Sequence, residues 1–361
     1  MTVEQLWQPT PGGSGTYILE LARALARGGE VDVVGLAARH SEGTAPAGLA
    51  VPVRQSRLPR RLLYEAWARA RRPRAERQVG GADVVHATTW AVPGTRRPLV
   101  VTVHDLAFLR EPADFTAHGA AYFRRAMSLV EAEATAVVVP SRATLEDCIA
   151  AGIDAPRLAV IPHGVRADPV SPGEVAAFRS AHGLQRPFLL WCGTVEPRKN
   201  LERQVRAFLE AADVLTDLDL VLAGPVGWGD AESRVAQIVD RASPGRVHRL
   251  GRLEPHELQV AYAAAVALVF ASTWEGFGMP VLEAMAHGVP VVTSAGTSMA
   301  EIVGDAGVLV DPGDVSSIAR GMVEVVDAGY PLRRRAALAA AAESTWDACA
   351  RRTAEVYRAV G

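Results

Sequence analysis

The chain has 361 residues, 49% hydrophobic and 22% charged, which excludes a disordered segment and suggests two domains of about 100–200 residues each. A net charge of −2 excludes a nucleic-acid binder that works through bulk positive charge, because such binding needs a basic surface. Three widely spaced cysteines, Cys148, Cys192 and Cys349, lack metal-ligand spacing and imply a reducing compartment without a disulfide framework.

In chain order, Val3–Trp7 reads as the tail of a strand and Pro11–Gly15 as a glycine turn, followed by a helix over Tyr17–Arg27 that Gly28-Gly29 stop. Only Met1–Trp7 precede the glycine turn, so the first strand is expected to be clipped or to start upstream. Further strands are expected at Val31–Leu36, Asp83–His86, Leu99–His104, Ala136–Val139 and Leu158–Ile161, separated by helical patterns. The Pro/Gly-rich segment 167–187 reads as a linker between an N-terminal domain over 1–166 and a second domain over 188–345. There the alternation restarts: strand Phe188–Cys192, helix Leu201–Ala212, strand Leu218–Ala223, helix Ala231–Arg241, strand Val247–Leu250, helix Pro255–Ala264 and strand Ala267–Ala271. Helix Pro280–His287 and strands Val289–Thr293 and Gly307–Val310 complete it, and a last helix over 346–361 has no strand after it and is expected to pack back on the N-terminal domain. The fold class is therefore α/β, two doubly wound parallel sheets facing across a cleft. No signal peptide is evident in the first twenty residues, and the longest apolar run, from Val260 up to Ser272, is shorter than the roughly 20 residues that span a bilayer. A cytoplasmic location is the expectation.

In open parallel sheets ligands sit beyond the carboxyl ends of the strands, so the residues just after strands carry the chemistry. After Cys192 the chain reads Gly193-Thr194-Val195-Glu196-Pro197-Arg198-Lys199-Asn200, and Lys199 is the single lysine among 38 basic residues. Arg198 and Lys199 before a helix N-terminus suit a phosphate. After Ala271 comes Ser-Thr-Trp-Glu-Gly-Phe-Gly-Met-Pro, in which Gly276 and Gly278 flank Phe277 and let the backbone approach a ligand; Met279 and Pro280 open a helix that carries Leu282 and Glu283. Glu275 and Glu283, with seven residues between them, suit hydroxyl groups at the loop and a ribose near the helix start. His104 ends a strand and suits a sugar hydroxyl or a developing charge. His86, His163 and His287 read as structural, and Asp217-Leu218-Asp219 reads as a turn at the amino end of a strand rather than a metal site. The glycines Gly12, Gly13 and Gly15 match a dinucleotide fingerprint poorly, because the acidic residue belongs at the end of the second strand and Asp32 stands at its start.

These motifs resemble glycosyltransferase family 4, retaining enzymes of the GT-B fold. The likeness runs through PGGSGTY, VHDLAF, PSRATLEDC, IPHGV, GTVEPRKN, EGFGMPVLEAMAHGVPVV and EIVGDAGVLVDP. The resemblance implies a nucleotide-sugar donor, with Glu275 on its sugar, Glu283 on its ribose, Arg198, Lys199 and the amides from Gly278 to Leu282 on its diphosphate, and Gly193, Thr194, Gly276 and Phe277 also in the donor site. It places Gly12, Gly13, Gly15 and His104 toward the transferred sugar and the acceptor, with no cofactor and no metal. Thr194 stands where many members carry Arg. The GTVEPRKN form is similar to bacterial mannosyltransferases of polysaccharide or glycolipid assembly, which makes GDP-mannose the first donor expected and a glycan, a lipid-linked compound or a small molecule the acceptor. The alternatives are another GT-B enzyme, an epimerase or a phosphorylase, or a non-catalytic nucleotide-sugar-binding module. Nine arginines between Arg54 and Arg77 alternate with Leu58, Leu62, Leu63, Ala66, Trp67 and Ala70. Two readings stay open for this stretch: a helix docked on an anionic membrane surface at the inner face, or a core-packed helix with a solvated basic side.

Overall fold

A computed structural model describes every residue except 42–45, 47, 113–114, 228–230 and 243–244. The chain forms two compact units, Met1–Gly164 with Thr345–Gly361, and Val165–Ser344.

The first unit begins with a 3₁₀ turn over Glu4–Trp7, then α1 (Gly12–Gly28), β1 (Gly35–Ala37), β2 (Val53–Gln55), α2 (Arg60–Glu65), α3 (Ala75–Gln78), β3 (Val85–Ala87), β4 (Leu99–Thr102), α4 (Ala107–Arg110), α5 (Ala117–Glu133), β5 (Ala136–Val139), α6 (Arg142–Ala150) and β6 (Leu158–Val160). β3-β4-β5-β6 form one parallel sheet and β1-β2 another. Thr2 bridges Leu36 in parallel, and its N–H donates to His86 O at 2.9 Å, which knits the two sheets together. The first strand is thus a single bridged residue. The expected strand tail at Val3–Trp7 is corrected: the Leu6 N–H turns back to Val3 O at 3.1 Å, and the segment coils instead of extending. The expected glycine turn is corrected too, since Gly12, Gly13 and Gly15 form the first turn of α1. Gly15 is required there by close packing: a Cβ on it would lie 2.4 Å from Pro11 Cβ.

In the second unit follow α7 (Pro172–Ala181), β7 (Phe188–Cys192), α8 (Leu201–Glu210), β8 (Asp219–Ala223), α9 (Ala231–Ala242), β9 (Val247–Gly251), α10 (Pro255–Ala264), β10 (Ala267–Phe270), α11 (Met279–Ala286), β11 (Val291–Ser294), α12 (Ser298–Val303), β12 (Gly307–Val310), α13 (Val315–Glu324) and α14 (Tyr330–Glu343). α15 (Trp346–Val360) rejoins the first unit, packed along α1. The expected linker at 167–187 belongs to the second unit. Ser171 and Glu174 make a reciprocal capping box that starts α7, and Phe178 is buried in the unit's core.

The second sheet is parallel throughout, in the order β12-β11-β10-β7-β8-β9. All five residues of β7 are buried, as expected of a central strand covered by helices on both faces. From β7 the chain winds outward one way to β8 and β9, then returns beside β7 as β10 and winds the other way. That reversal lies between β7 and β10, where a doubly wound sheet opens its ligand crevice at the carboxyl ends.

Candidate functional site

The loops leaving β7 and β10 carry the residues singled out above, and they are tied to each other. Gly193 and Thr194 lead out of β7, with the Gly193 N–H donating to Ala223 O at 3.0 Å. Pro197–Lys199 form a 3₁₀ turn that ends at Asn200, whose φ of 55° is left-handed, a conformation Asn accepts better than most residues. The Asn200 amide donates to Ala271 O at 2.9 Å and to Pro312 O at 2.8 Å. Gln204 donates to Lys199 O at 2.7 Å and accepts from the Ala271 N–H at 2.8 Å. The Thr273 N–H donates to Arg198 O at 2.9 Å. Asn200 and Gln204 are buried, and the sequence reading missed both; a polar residue at the start of a helix that faces the core was the available signal.

This stapling brings Arg198, Lys199 and Glu275 together. Glu275 is 7% exposed; its Oε1 lies 2.6 Å from Lys199 Nζ and its Oε2 2.9 Å from Arg198 Nη1. Arg198 also donates to Trp274 O at 3.0 Å and pairs with buried Glu196 at 2.8 Å. The Lys199 ammonium sits 4.9 Å from the centroid of the Phe270 ring. Burial works to raise the Glu275 pKa, but Arg198 and Lys199 outweigh it and lower the pKa to about 2. For Glu196 burial wins over the same two cations and the pKa rises. Two carboxylates and two cations thus form a linked quartet, Lys199–Glu275–Arg198–Glu196. Glu196 was not among the expected site residues; its signal was a carboxylate two positions before Arg198.

The glycine loop packs more tightly than expected. Ser298 Oγ donates to Glu275 O at 2.6 Å and to Phe277 O at 3.1 Å. Gly278 has φ +101°, and a Cβ there would meet Met299 Cγ at 2.5 Å, so only glycine fits. The geometry limits which parts of these residues could face a ligand. The side chains of Phe277 and Leu282 are in the hydrophobic core. The Val281 and Leu282 N–H groups donate to Gly278 O at 3.0 and 3.4 Å, and Pro280 has no N–H, so the turn's remaining amides are those of Gly278 and Met279. Glu283 is partly exposed on α11, and Tyr262 donates to its Oε2 at 2.7 Å. Burial raises the Glu283 pKa against that hydrogen bond, so the two glutamates are pushed in opposite directions.

In the first unit, Gly12 and Gly13 are exposed at the tip of α1, while Gly15 is buried. His104 Nε2 is 3.0 Å from Thr88 O, and burial lowers its pKa. A neutral ring that gives its Nε2 proton to a carbonyl keeps Nδ1 as an acceptor. His86 is held between Tyr357 and Thr102 at 2.6 and 2.7 Å, and burial lowers its pKa to about 3. His163 stacks on Trp346 with centroids 5.9 Å apart. Asp219 begins β8, at the amino end of the sheet, where it meets His248 at 3.0 Å, Arg186 and Arg246. No cluster of three or more metal-ligating side chains occurs among the described residues. In the arginine-rich stretch Leu63 and Trp67 are buried while Leu62 is 59% exposed. Arg71 is committed inward, to Glu133, Trp67 O, Val92 O and Pro93 O.

Residues 11–168 match the family model "Glycosyltransferase Family 4", and residues 174–344 match "Glycosyl transferases group 1". The O-antigen chain mannosyltransferase B of Escherichia coli is 36% identical over 195 residues, 53% of this chain and 51% of that protein, so the match spans about half of each. A D-inositol 3-phosphate glycosyltransferase of Mycobacterium sp. (strain JLS) is 30% identical over 361 residues, covering 92% of this chain and 81% of that protein. Among solved structures, Anabaena Alr3699/HepE in complex with UDP and glucose has a TM-score of 0.77 at 22% identity, covering 99% of this chain and 98% of that one. WaaG, a glycosyltransferase involved in lipopolysaccharide biosynthesis, has 0.73 at 20% identity over 96% of each. The chain belongs to glycosyltransferase family 4, a transferase enzyme with the two Rossmann-like units of the GT-B fold.

Proposed function

We propose that this chain transfers a hexose, mannose from GDP-mannose in the first instance, to a glycan, lipid-linked or small-molecule acceptor, with retention of configuration and without a metal. The observation that carries the proposal is the Glu196–Arg198–Glu275–Lys199 quartet at the reversal of the second sheet. The mannosyltransferase relative supports the choice of sugar. Breaking the sugar–phosphate bond builds negative charge on the leaving diphosphate and positive charge on the sugar ring. Arg198 and Lys199, with the Gly278 and Met279 amides, would stabilise the first. An incoming diphosphate competes with Glu275 for the two cations. It therefore releases a carboxylate that is already ionised to accept from the sugar hydroxyls and face the positive ring. Glu283 would receive the ribose. On the first unit, Nδ1 of His104 would accept a hydroxyl of sugar or acceptor, and the departing phosphate would take the acceptor's proton. The exposed Arg57, Arg61, Arg72 and Leu62 would rest on anionic lipid, a peripheral placement at the cytoplasmic face.

The test is a thermal-shift panel of GDP-, UDP- and ADP-sugars, followed by transfer and donor hydrolysis with the best of them. Lys199→Ala is expected to lower kcat/KM by about 10²–10³, the range for loss of one preorganised donor, and Glu275→Gln is expected to lower it too, by removing the negative charge that faces the sugar ring. Turnover at the wild-type level in both variants overturns the proposal.

A further inference from the structure

The donor reading uses Glu283 but leaves open what holds it. Tyr262, on α10, is fully buried, and its ring stacks on His287 with centroids 6.2 Å apart and planes 16° apart. His287 Nε2 is in turn 2.7 Å from Gln259 Oε1, so the ring is gripped from both α10 and the end of α11. The Tyr262 hydroxyl donates to Glu283 Oε2 at 2.7 Å and lies 3.0 Å from Sγ of Cys192, the last residue of β7. Burial pushes the Cys192 thiol up to about 12 and the Tyr262 phenol well above its usual value, so both keep their protons. A phenol has one proton to give. With that proton on Glu283, the thiol must be the donor to the phenol oxygen, and the chain runs one way: Cys192 S–H to Tyr262 O–H to the Glu283 carboxylate. Glu283 Oε1 accepts no hydrogen bond from a described residue, and the side chain is partly exposed.

We propose that Tyr262 is the positioning residue of the nucleotide site, its hydroxyl anchoring Glu283 Oε2 so that Oε1 receives the vicinal 2′- and 3′-hydroxyls of the donor ribose. The proposal rests on the donor reading above and deepens it. A free glutamate on a helix surface samples several rotamers and loses that freedom on binding. Glu283 gives up part of it in advance, to the hydroxyl of a fully buried ring.

The experiment measures affinity for the nucleoside diphosphate that binds best among ADP, GDP and UDP, and for its 2′,3′-dideoxy form, in wild type and in Tyr262→Phe. The wild type is expected to prefer the ribonucleotide by about tenfold or more, since the dideoxy form removes both hydroxyls and even one hydrogen bond to a charged group is worth that much. Tyr262→Phe keeps the stacked ring and is expected to reduce that preference to about twofold, with the dideoxy affinity unchanged and the loss in donor KM rather than kcat. In a Glu283→Ala background, which removes the acceptor altogether, the effect of Tyr262→Phe on the preference should vanish, since a positioning residue acts only through its partner. A wild-type ratio in Tyr262→Phe, or an equal loss with and without Glu283, overturns the proposal and makes Tyr262 a core residue only. A wild type that binds without preference overturns it through the ribose role of Glu283. A wild type that binds none of the three overturns the donor reading beneath both.

Discussion

Both oxygens of Glu275 meet cations while the residue is only 7% exposed. Its pKa falls from the usual 4.5 to about 2, so the native state binds its proton more weakly than the unfolded chain does. That stabilises the fold above about pH 4.5, and the contribution drains away as pH falls toward about 2. Glu196 and Glu283, raised by burial, run the other way, so the comparison must isolate Glu275. Near neutral pH, Glu275→Gln is expected to cost about 3–5 kcal/mol, the range for removing one partner of a buried pair. The melting-temperature gap between wild type and variant should close as pH is lowered through that window. A gap independent of pH would show that the pairing with Arg198 and Lys199 does not hold in solution. A solitary lysine in an arginine-rich sequence marked Lys199 in advance, and the glycine loop after it marked Glu275, but as separate ligand contacts; that Glu275 pairs with Arg198 and Lys199 follows only from the folded geometry.

At the scale of elements, the helix that carries Glu283 is set by its first residues. Gly278 caps α11 in a left-handed conformation against Met299. Gly278→Ala adds strain of about 1–3 kcal/mol to the contact with Met299, which should lower the melting temperature by roughly 2–8 °C and weaken donor binding. Met299 is itself fully buried, so the comparison is made within a Met299→Ala background, where the added cost of Gly278→Ala should shrink to its conformational part. Full disappearance of that cost in differential scanning fluorimetry would mean that the backbone angle costs nothing. β7, α10 and β12 were legible to the residue, because burial on both faces or on one stripe writes itself into the order of apolar side chains. The failures were short and local. Val3–Trp7 has the composition of a strand but coils after Thr2, and the glycines of 12–15 enter a helix despite their low propensity, since Gly15 must clear Pro11. Pro172 and Gly173 signalled a linker and instead open a capped helix.

At the scale of the molecule, the order of the second sheet does the assembling. Lys199 and Glu275 lie 76 positions apart, and they meet because β7 and β10 are neighbours at the point where the winding reverses. On the first unit the arginine-rich stretch divides: Leu63, Trp67 and Arg71 serve the core, while Arg57, Arg61, Arg72 and Leu62 stay outside. At about 1 kcal/mol per arginine near an anionic surface, replacing the three arginines with Ser should cut co-sedimentation with phosphatidylglycerol vesicles by about a hundredfold. Phosphatidylcholine vesicles should show little binding in either case. Pelleting that does not change removes the membrane reading, and Arg71 must be left intact because its loss would strip Glu133 and three carbonyls of their donor.

The sequence alone determined the alternation of strands and helices, the two-unit plan and the family, because these depend on the period of apolar residues and on short motifs at strand ends. Only the tertiary structure decided which charges pair, which amides of the glycine loop stay available and what holds the second glutamate. Each of those is a distance between side chains far apart in the chain, fixed by which strands lie side by side, and no local pattern of residues encodes it.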